Sequence, residues 1–181
     1  MRLVETGLAE VKIIEPAVYG DARGFFLESW NAESFAAAGL DLPFVQDNHS
    51  RSARHVLRGL HYQIEQPQGK LVRVTAGRAY DVAVDIRRSS PDFGRWTGVE
   101  LSAENKRMLW VPPGFAHGFL ALEEDTDFLY KCTAPRAVAH ERILNWADPV
   151  LAIDWPLGGA RPILSDKDEA APMLGEQDLY P

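Results

Sequence analysis

The chain has 181 residues and a formal net charge of −7, with 46% apolar and 25% charged residues. This size and balance predict one folded domain, residues 1–181. The negative charge argues against a nucleic-acid-binding surface, and no apolar run reaches the ~18 residues of a membrane-spanning helix. The N-terminus lacks the apolar core of a signal peptide, and the single cysteine, Cys132, suits a reducing cytosol. We therefore expect a cytoplasmic protein that binds neither nucleic acid nor membrane.

Short apolar segments alternate with Gly, Pro, Asn and Asp, at the spacing of an all-β barrel or sandwich. One helix is predicted over residues 32–38, with Asn31 as its N-cap and Gly39 at its end. A second, short helix is predicted to start at Ser165. The predicted strands cover residues 11–14, 25–28, 56–62, 71–75, 79–86, 96–101, 108–111, 119–122 and 128–131.

Two histidines lie on strand-like segments. Arg58 and His61 are three residues apart, so an ideal strand would place them on opposite faces. A bulge at Gly59 would turn both toward one cavity. His117 follows a Pro-x-Gly turn about fifty residues later. This pattern predicts a cupin-like jelly-roll barrel, with a few short helices and a site in its mouth.

A metal site is not expected in this barrel. A metal-binding cupin usually has His-x-His, a glutamate and a further histidine, but Gln63 occupies the second histidine position here. His61 and His117 alone are too few ligands for a strong divalent site. We expect neither a metal nor another cofactor.

Four residues are candidates for proton-transfer chemistry, and each also has an ordinary structural interpretation. His61 could be a general base or a core histidine, and Tyr130 a general acid or a core tyrosine. Lys70 begins a strand, where most lysines are solvated, but in a barrel mouth it could stabilise an enolate oxygen. Asp168 could cap the helix at Ser165, orient His61 as in a His–Asp dyad, or do both.

Other polar residues are candidates for ligand binding, although surface exposure is the ordinary interpretation of each. Arg23, Arg58 and Lys167 could bind phosphate. Hydrogen bonds to a sugar or a base could come from Glu28, Gln46, Asn48 and Glu141.

The motifs occur together in one order along the chain, from about residue 11 to residue 168. They are Asp21-x-Arg23-Gly24-Phe25-Phe26-x-Glu28, Gln46-Asp47-Asn48-x-Ser50, Leu57-Arg58-Gly59-Leu60-His61-Tyr62-Gln63, Gln68-Gly69-Lys70-Leu71-Val72, Asp81-Val82-Ala83-Val84-Asp85, Pro112-Pro113-Gly114-Phe115-Ala116-His117-Gly118-Phe119, Tyr130-Lys131-Cys132-Thr133 and Leu164-Ser165-x-Lys167-Asp168. In this the chain resembles the dTDP-4-dehydrorhamnose 3,5-epimerases.

The resemblance implies a homodimeric isomerase that acts on dTDP-4-keto-6-deoxyglucose without a cofactor. It implies that His61 is the base, Asp168 its partner and Tyr130 the acid, with Lys70 near the 4-keto oxygen. The substrate contacts that it implies are Arg23, Glu28, Gln46, Asp47, Asn48, Arg58, His117, Glu141 and Lys167.

One segment departs from the family pattern. The family commonly has Tyr-Lys-x-Thr-Asp-Tyr-Tyr-x-Pro, whereas this chain continues from Thr133 with Ala134-Pro135-Arg136-Ala137-Val138. The departure leaves open a 3-epimerase that inverts one carbon. Two alternatives from other classes are a metal-dependent cupin oxidoreductase and a sugar-nucleotide-binding cupin without activity. Gln63 opposes the first, and the combination of His61, Tyr130 and Lys70 opposes the second.

Overall fold

A computed structural model describes all 181 residues, Met1–Pro181. Its regular structure is almost entirely β-strand, and no helix is long and apolar enough to cross a membrane. The strands are β1 (Arg2–Glu5), β2 (Lys12–Glu15), β3 (Val18–Asp21), β4 (Gly24–Leu27), β5 (Gln46–Ser52), β6 (Leu57–Gln63), β7 (Lys70–Ala76), β8 (Arg78–Asp85), β9 (Trp96–Ser102), β10 (Met108–Val111), β11 (Phe115–Ala121), β12 (Thr126–Cys132) and β13 (Glu141–Ile143). The helices are α1 (Ala32–Ala37), α2 (Asp166–Glu169) and two 3₁₀ turns, Val138–His140 and Leu174–Glu176.

Two antiparallel sheets form the barrel. The six-stranded sheet has the order β1-β2-β10-β7-β12-β5, and the five-stranded sheet has the order β13-β6-β11-β8-β9. Strands β3 and β4 form a separate hairpin. The predicted all-β, cupin-like fold is therefore confirmed.

The core between the sheets follows from the alternation of side chains along each strand. Val72 and Val74 of the six-stranded sheet pack in one cluster with Ala83 and Phe119 of the five-stranded sheet. Phe128 lies fully buried in that cluster, and its ring stacks on Phe119 with 3.9 Å between centroids. The inward positions at one end of the same strands are polar, and they form the cavity described below.

Each sheet is covered on its outer face by a segment from one end of the chain. Phe35 of α1 packs against Leu71 and Trp110 on the outer face of the six-stranded sheet. The C-terminal segment covers the five-stranded sheet, where Trp155 and Leu174 join the apolar cluster of that face. The C-terminal segment also carries α2, which lies beside the cavity.

The predicted helices agree with the structure. Helix α1 begins after Asn31, whose side chain accepts hydrogen bonds from the backbone N–H groups of Glu33 and Ser34. Gly39 follows the helix with φ +89°, a conformation that favours glycine. Ser165 caps α2, as predicted.

The predicted irregularity in β6 is also present. His117 and Phe119 are two residues apart on β11, but they pair with His61 and Arg58, which are three apart on β6. Arg58 and His61 therefore share the inward face of the sheet. Gly59 is required at this point, because a Cβ there would lie 2.6 Å from the Cα of Gly118.

The outer cluster of the five-stranded sheet should contribute strongly to stability. We expect Leu120→Ala to lower the free energy of unfolding by about 2–5 kcal/mol, because Leu120 is fully buried and its loss leaves a cavity. Urea denaturation measures this change. Val150→Ala is the control, since Val150 is 77% exposed and its truncation should cost no more than about 0.5 kcal/mol. Equal effects of the two substitutions would contradict the packing described here.

Candidate active site

A small polar cavity of about 90 Å³ opens at one end of the barrel, between the two sheets. Strands β5, β6, β7, β12 and β13 contribute to its walls, together with α2 and the segment after β12. Its lining residues are Gln46, Asn48, His61, Tyr62, Gln63, Gln68, Lys70, Tyr130, Arg136, Glu141, Arg142, Ile143 and Lys167.

A histidine–aspartate pair lies at the centre of this cavity. The Nε2 atom of His61 is 2.6 Å from Oδ1 of Asp168. The other carboxylate oxygen of Asp168 accepts a 2.6 Å hydrogen bond from the Ser165 hydroxyl. Because a carboxylate can only accept, Nε2 of His61 carries the proton and Nδ1 keeps a free lone pair. Asp168 thus both interacts with the cap of α2 and orients the histidine.

The protonation states of the pair suit a general base. Burial lowers the pKa of His61 below its ordinary value of 6.5, and the charges of Lys70 and Lys167 lower it further, against the opposing effect of the Asp168 carboxylate. Burial raises the pKa of Asp168, but the hydrogen bonds from His61 and Ser165 outweigh burial and hold that pKa below its usual range. At neutral pH the pair is therefore mainly a neutral imidazole beside a carboxylate.

Tyr130 lies on β12, in the sheet opposite His61. Its ring packs beside Phe128 on the inward face, as the predicted alternation requires. Burial raises the pKa of the Tyr130 phenol, so the group stays protonated at neutral pH. A protonated phenol facing a neutral imidazole across the cavity provides a proton donor and a proton acceptor in one site.

Lys70 begins β7 and is buried, with 8% of its surface exposed. Its Nζ lies 3.5 Å from the backbone oxygen of His61. Burial lowers the pKa of Lys70, because the ammonium group has lost its water. The ordinary interpretation of this lysine as a solvated strand-end residue is wrong.

The amide wall of the cavity is formed by β5. Gln46 donates a 2.9 Å hydrogen bond to Asn48, which contacts the sulfur of Cys132 at 3.4 Å. On the opposite side, Glu141 of β13 accepts hydrogen bonds from Arg136. Lys167 of α2 completes this side.

Five of the substrate contacts implied by the resemblance lie outside the cavity lining. Asp47 is bound by Lys131, 2.9 Å away, and alternation turns it away from Gln46 and Asn48. The guanidinium of Arg58 faces inward but binds Ser52 Oγ at 3.1 Å, and remains exposed. The others are His117, Arg23 and Glu28.

His117 forms a second buried histidine–aspartate pair. Its Nε2 lies 2.9 Å from Oδ2 of Asp81, which is fully buried. His117 is cross-strand partner to His61, so this pair lies directly beside the first.

Arg23 and Glu28 lie on or next to the separate β3–β4 hairpin. Nε of Arg23 donates to Asp21 at 3.1 Å, and the Arg23 side chain is 90% exposed. Glu28 accepts a 3.0 Å hydrogen bond from Asn31. Within one chain, neither residue reaches the cavity.

Sequence analysis did not identify Gln63 and Gln68 as wall residues. The buried Gln63 amide donates to the Pro135 oxygen at 3.3 Å and accepts from the Ala137 backbone at 2.8 Å. Gln68 donates to the Ala134 oxygen at 2.9 Å. Gln63 was noticed only as a missing metal ligand, and nothing local in the sequence shows that it supports a distant loop.

Arg136, Arg142, Tyr62 and Ile143 also line the cavity without having been proposed as site residues. Arg136 lies in the segment that departs from the family pattern, and this departure was the available signal for it. No group of three or more His, Cys, Asp or Glu side chains is arranged to hold a metal ion.

Comparison with known proteins identifies the class of protein. A family model described as dTDP-4-dehydrorhamnose 3,5-epimerase matches residues 5–176. The dTDP-4-dehydrorhamnose 3,5-epimerase of Pseudomonas aeruginosa is 56% identical over 182 residues, covering 100% of both chains. The chain belongs to the dTDP-4-dehydrorhamnose 3,5-epimerase family. The predicted family and enzyme class, an isomerase, are confirmed.

Solved structures agree. The crystal structure of a dTDP-6-deoxy-D-glucose-3,5-epimerase from Legionella pneumophila Philadelphia 1, in complex with dTDP-4-keto-L-rhamnose, superposes with a TM-score of 0.96. It is 54% identical, and the match covers 99% of this chain and 97% of that one. A 3'-monoepimerase from Streptomyces bikiniensis, in complex with dTDP-quinovose, is more distant, with a TM-score of 0.89, 38% identity and coverage of 94% and 87%.

The histidine–aspartate pair makes a prediction about ionisation. Asp168→Asn should lower the pKa of His61 further, because the carboxylate that stabilises the imidazolium is removed. An NMR titration of the imidazole C–H signals measures this pKa. Asp166→Asn, on the same helix but exposed, is the matched control and should leave His61 close to wild type. An unchanged or raised pKa in Asp168→Asn would refute the pairing.

Proposed function

We propose that this chain is a dTDP-4-dehydrorhamnose 3,5-epimerase, which converts dTDP-4-dehydro-6-deoxy-D-glucose to dTDP-4-dehydro-L-rhamnose. The observation that carries the proposal is one cavity that holds a neutral histidine oriented by a carboxylate, a protonated tyrosine from the opposite sheet, and a buried lysine. The proposed setting is the cytosol.

The chemistry needs the three groups in distinct roles. The C4 ketone acidifies the protons on C3 and C5, and a base on one face of the ring removes one of them to give an enolate. His61 is the proposed base, because burial keeps its pKa below 6.5 and the imidazole neutral at pH 7. Asp168 stabilises the imidazolium that forms.

Inversion requires that the proton returns on the other face. Tyr130 is the proposed donor, since β12 and β6 belong to opposite sheets and its phenol is protonated. Lys70 is the proposed stabiliser of the enolate oxygen, because it lines the same cavity and a charge acts strongly in a buried site. Of the proposed substrate contacts, Gln46, Asn48, Glu141 and Lys167 lie in the same cavity.

We propose inversion at both carbons. The 3,5-epimerases among the relatives are 42–56% identical to this chain, against 38% for the 3'-monoepimerase. The altered segment after Tyr130 favours the single-carbon alternative, because it changes the wall beside the proposed acid. The sugar formed with a coupled 4-keto reductase distinguishes them, since dTDP-L-rhamnose requires both inversions.

Deuterium exchange tests the proposed roles of the two proton-transfer residues. In D₂O the wild type should introduce deuterium at C3 and C5 of dTDP-4-keto-6-deoxyglucose, as read by NMR. His61→Asn should abolish uptake at both carbons. Tyr130→Phe should keep part of the uptake and lose inversion, most visibly at C5, because proton removal survives without the donor. Uptake by His61→Asn near the wild-type rate would assign the base to another residue.

We further propose that the active form is a homodimer in which the β3–β4 hairpin reaches the partner's cavity. The hairpin exposes Tyr19, Phe25 and Phe26, each by 63–69%. Large apolar groups so exposed on one element are typical of an interaction surface. This arrangement would bring Arg23 and Glu28 to a substrate that they cannot reach within their own chain.

A mixture of two inactive variants tests this dimer. Arg23→Ala/Glu28→Ala has a defective hairpin, and His61→Asn has a defective base. Refolded together, they should recover about a quarter of wild-type activity. Half of the dimers in the mixture are mixed, and one of the two sites in each mixed dimer pairs an intact base with an intact hairpin. The control mixes each variant with itself. No recovery, or a monomer in sedimentation at micromolar concentration, would contradict the shared site.

A further inference from the structure

An ion pair joins the two sheets at the mouth of the cavity. Nη2 of Arg136 donates to Oε2 of Glu141 at 3.1 Å, and Nε of the same guanidinium donates to Oε1. Glu141 belongs to β13, an edge strand of the five-stranded sheet. The backbone N–H of Arg136 donates to Gln46 at 2.9 Å, and Gln46 belongs to β5, an edge strand of the other sheet.

The backbone on both sides of Arg136 is fixed. The buried Gln63 amide holds the oxygen of Pro135 and the N–H of Ala137, and Gln68 holds the preceding Ala134. The guanidinium itself is not buried, since 58% of the Arg136 side chain is exposed. Arg136 is therefore a charged group on a fixed support, with a free face at the cavity entrance.

The cavity carries an excess of positive charge in a protein whose net charge is −7. Its lining includes four basic side chains, namely Lys70, Arg136, Arg142 and Lys167, and one carboxylate, Glu141. Arg142 donates to the backbone oxygens of Ala139 and Glu141 and lies 3.9 Å from the exposed Asp178 carboxylate, while Lys70 lies deep beside His61. Arg136 is thus the arginine at the mouth whose hydrogen bonds go to a side-chain carboxylate, which an anion could replace.

We propose that Arg136 is a specificity residue that binds a phosphate group of the nucleotide sugar, and that Glu141 holds its guanidinium in place while the cavity is empty. The inference rests on the proposed function, which supplies the diphosphate. A guanidinium that binds a carboxylate through two N–H groups presents the same fork to phosphate oxygens. Where the family pattern has an aromatic ring, this chain has a cation.

Calorimetric binding of dTDP, thymidine and pyrophosphate tests the assignment. Arg136→Gln should weaken dTDP and pyrophosphate about tenfold or more, because a charge-assisted hydrogen bond is lost. Thymidine affinity should stay at the wild-type value, which also shows that the variant is folded. The affinity of Arg136→Lys for dTDP should lie between those of the wild type and Arg136→Gln, since lysine keeps the charge but cannot donate the two parallel hydrogen bonds of a guanidinium. Arg161→Gln is the matched control, because Arg161 is exposed in the C-terminal segment.

The outcomes separate this inference from the proposed function. If Arg136→Gln binds dTDP as tightly as a wild type that catalyses exchange at C3 and C5, the role of Arg136 is refuted and the function stands. Equal weakening of thymidine and dTDP would assign base stacking to Arg136 and overturn phosphate binding. A wild type that neither binds dTDP nor exchanges protons would overturn both proposals.

Discussion

The hydrogen bond between His61 and Asp168 is the constraint on which the rest of the site depends. It joins residues 107 positions apart. His61 faces the cavity because β6 is irregular at Gly59, and Asp168 reaches it because the C-terminal segment crosses the outside of the same sheet. The backbone N–H of Leu57 donates to Ile163 at 3.0 Å, which ties that segment to the start of β6. Packing on the outer face of the five-stranded sheet therefore helps to position the His61–Asp168 pair on its inner face.

The alternation of strands explains how a barrel interior can be apolar at one end and reactive at the other. Along β7, Lys70 and Val72 face inward, and along β12, Phe128 and Tyr130 do so. Burial of Lys70 is unfavourable, because its ammonium group donates to the backbone oxygen of His61 and to no carboxylate. An enolate oxygen would restore that interaction. On the proposed mechanism, the unfavourable desolvation of Lys70 is relieved as negative charge develops, which is the condition for catalysis by differential stabilisation.

Most of the barrel could be predicted because its strands carry strong apolar signals. All nine predicted segments fall on strands, namely β2, β4 and β6 to β12. The segment 119–122 covers only the end of β11. Strand β5 was missed because its sequence, QDNHSRS, is entirely polar. Its outer residues face solvent and its inner residues face the cavity, so no apolar periodicity is required. Strands β1, β3 and β13 were also missed, and none of them contains a buried residue.

The candidate site likewise contains residues that the sequence predicts and residues that it does not. His61, Tyr130, Lys70 and Asp168 could be proposed because their residue types match a known chemistry and their motifs are local. The supports of the site could not be proposed in this way. Gln63 bonds to Pro135 and Ala137, more than seventy positions away, and such a contact depends on the register of β6 with β13 and on the path of the loop after β12.

Gln63 also shows how one position can determine what a barrel of this kind does. Two residues after His61 on an inward-facing strand, a histidine would direct an imidazole into the cavity, as metal-binding cupins do. The amide instead donates to one carbonyl and accepts from one N–H of the loop that follows Tyr130, and so it satisfies two backbone groups of that loop at once. Gln63, which stands where a metal-binding cupin has a histidine, thus supports the loop that forms part of the cavity wall. The loop that Gln63 supports follows Tyr130, the proposed acid, and carries Arg136, the proposed phosphate ligand, so one amide holds the backbone between the two proposed roles.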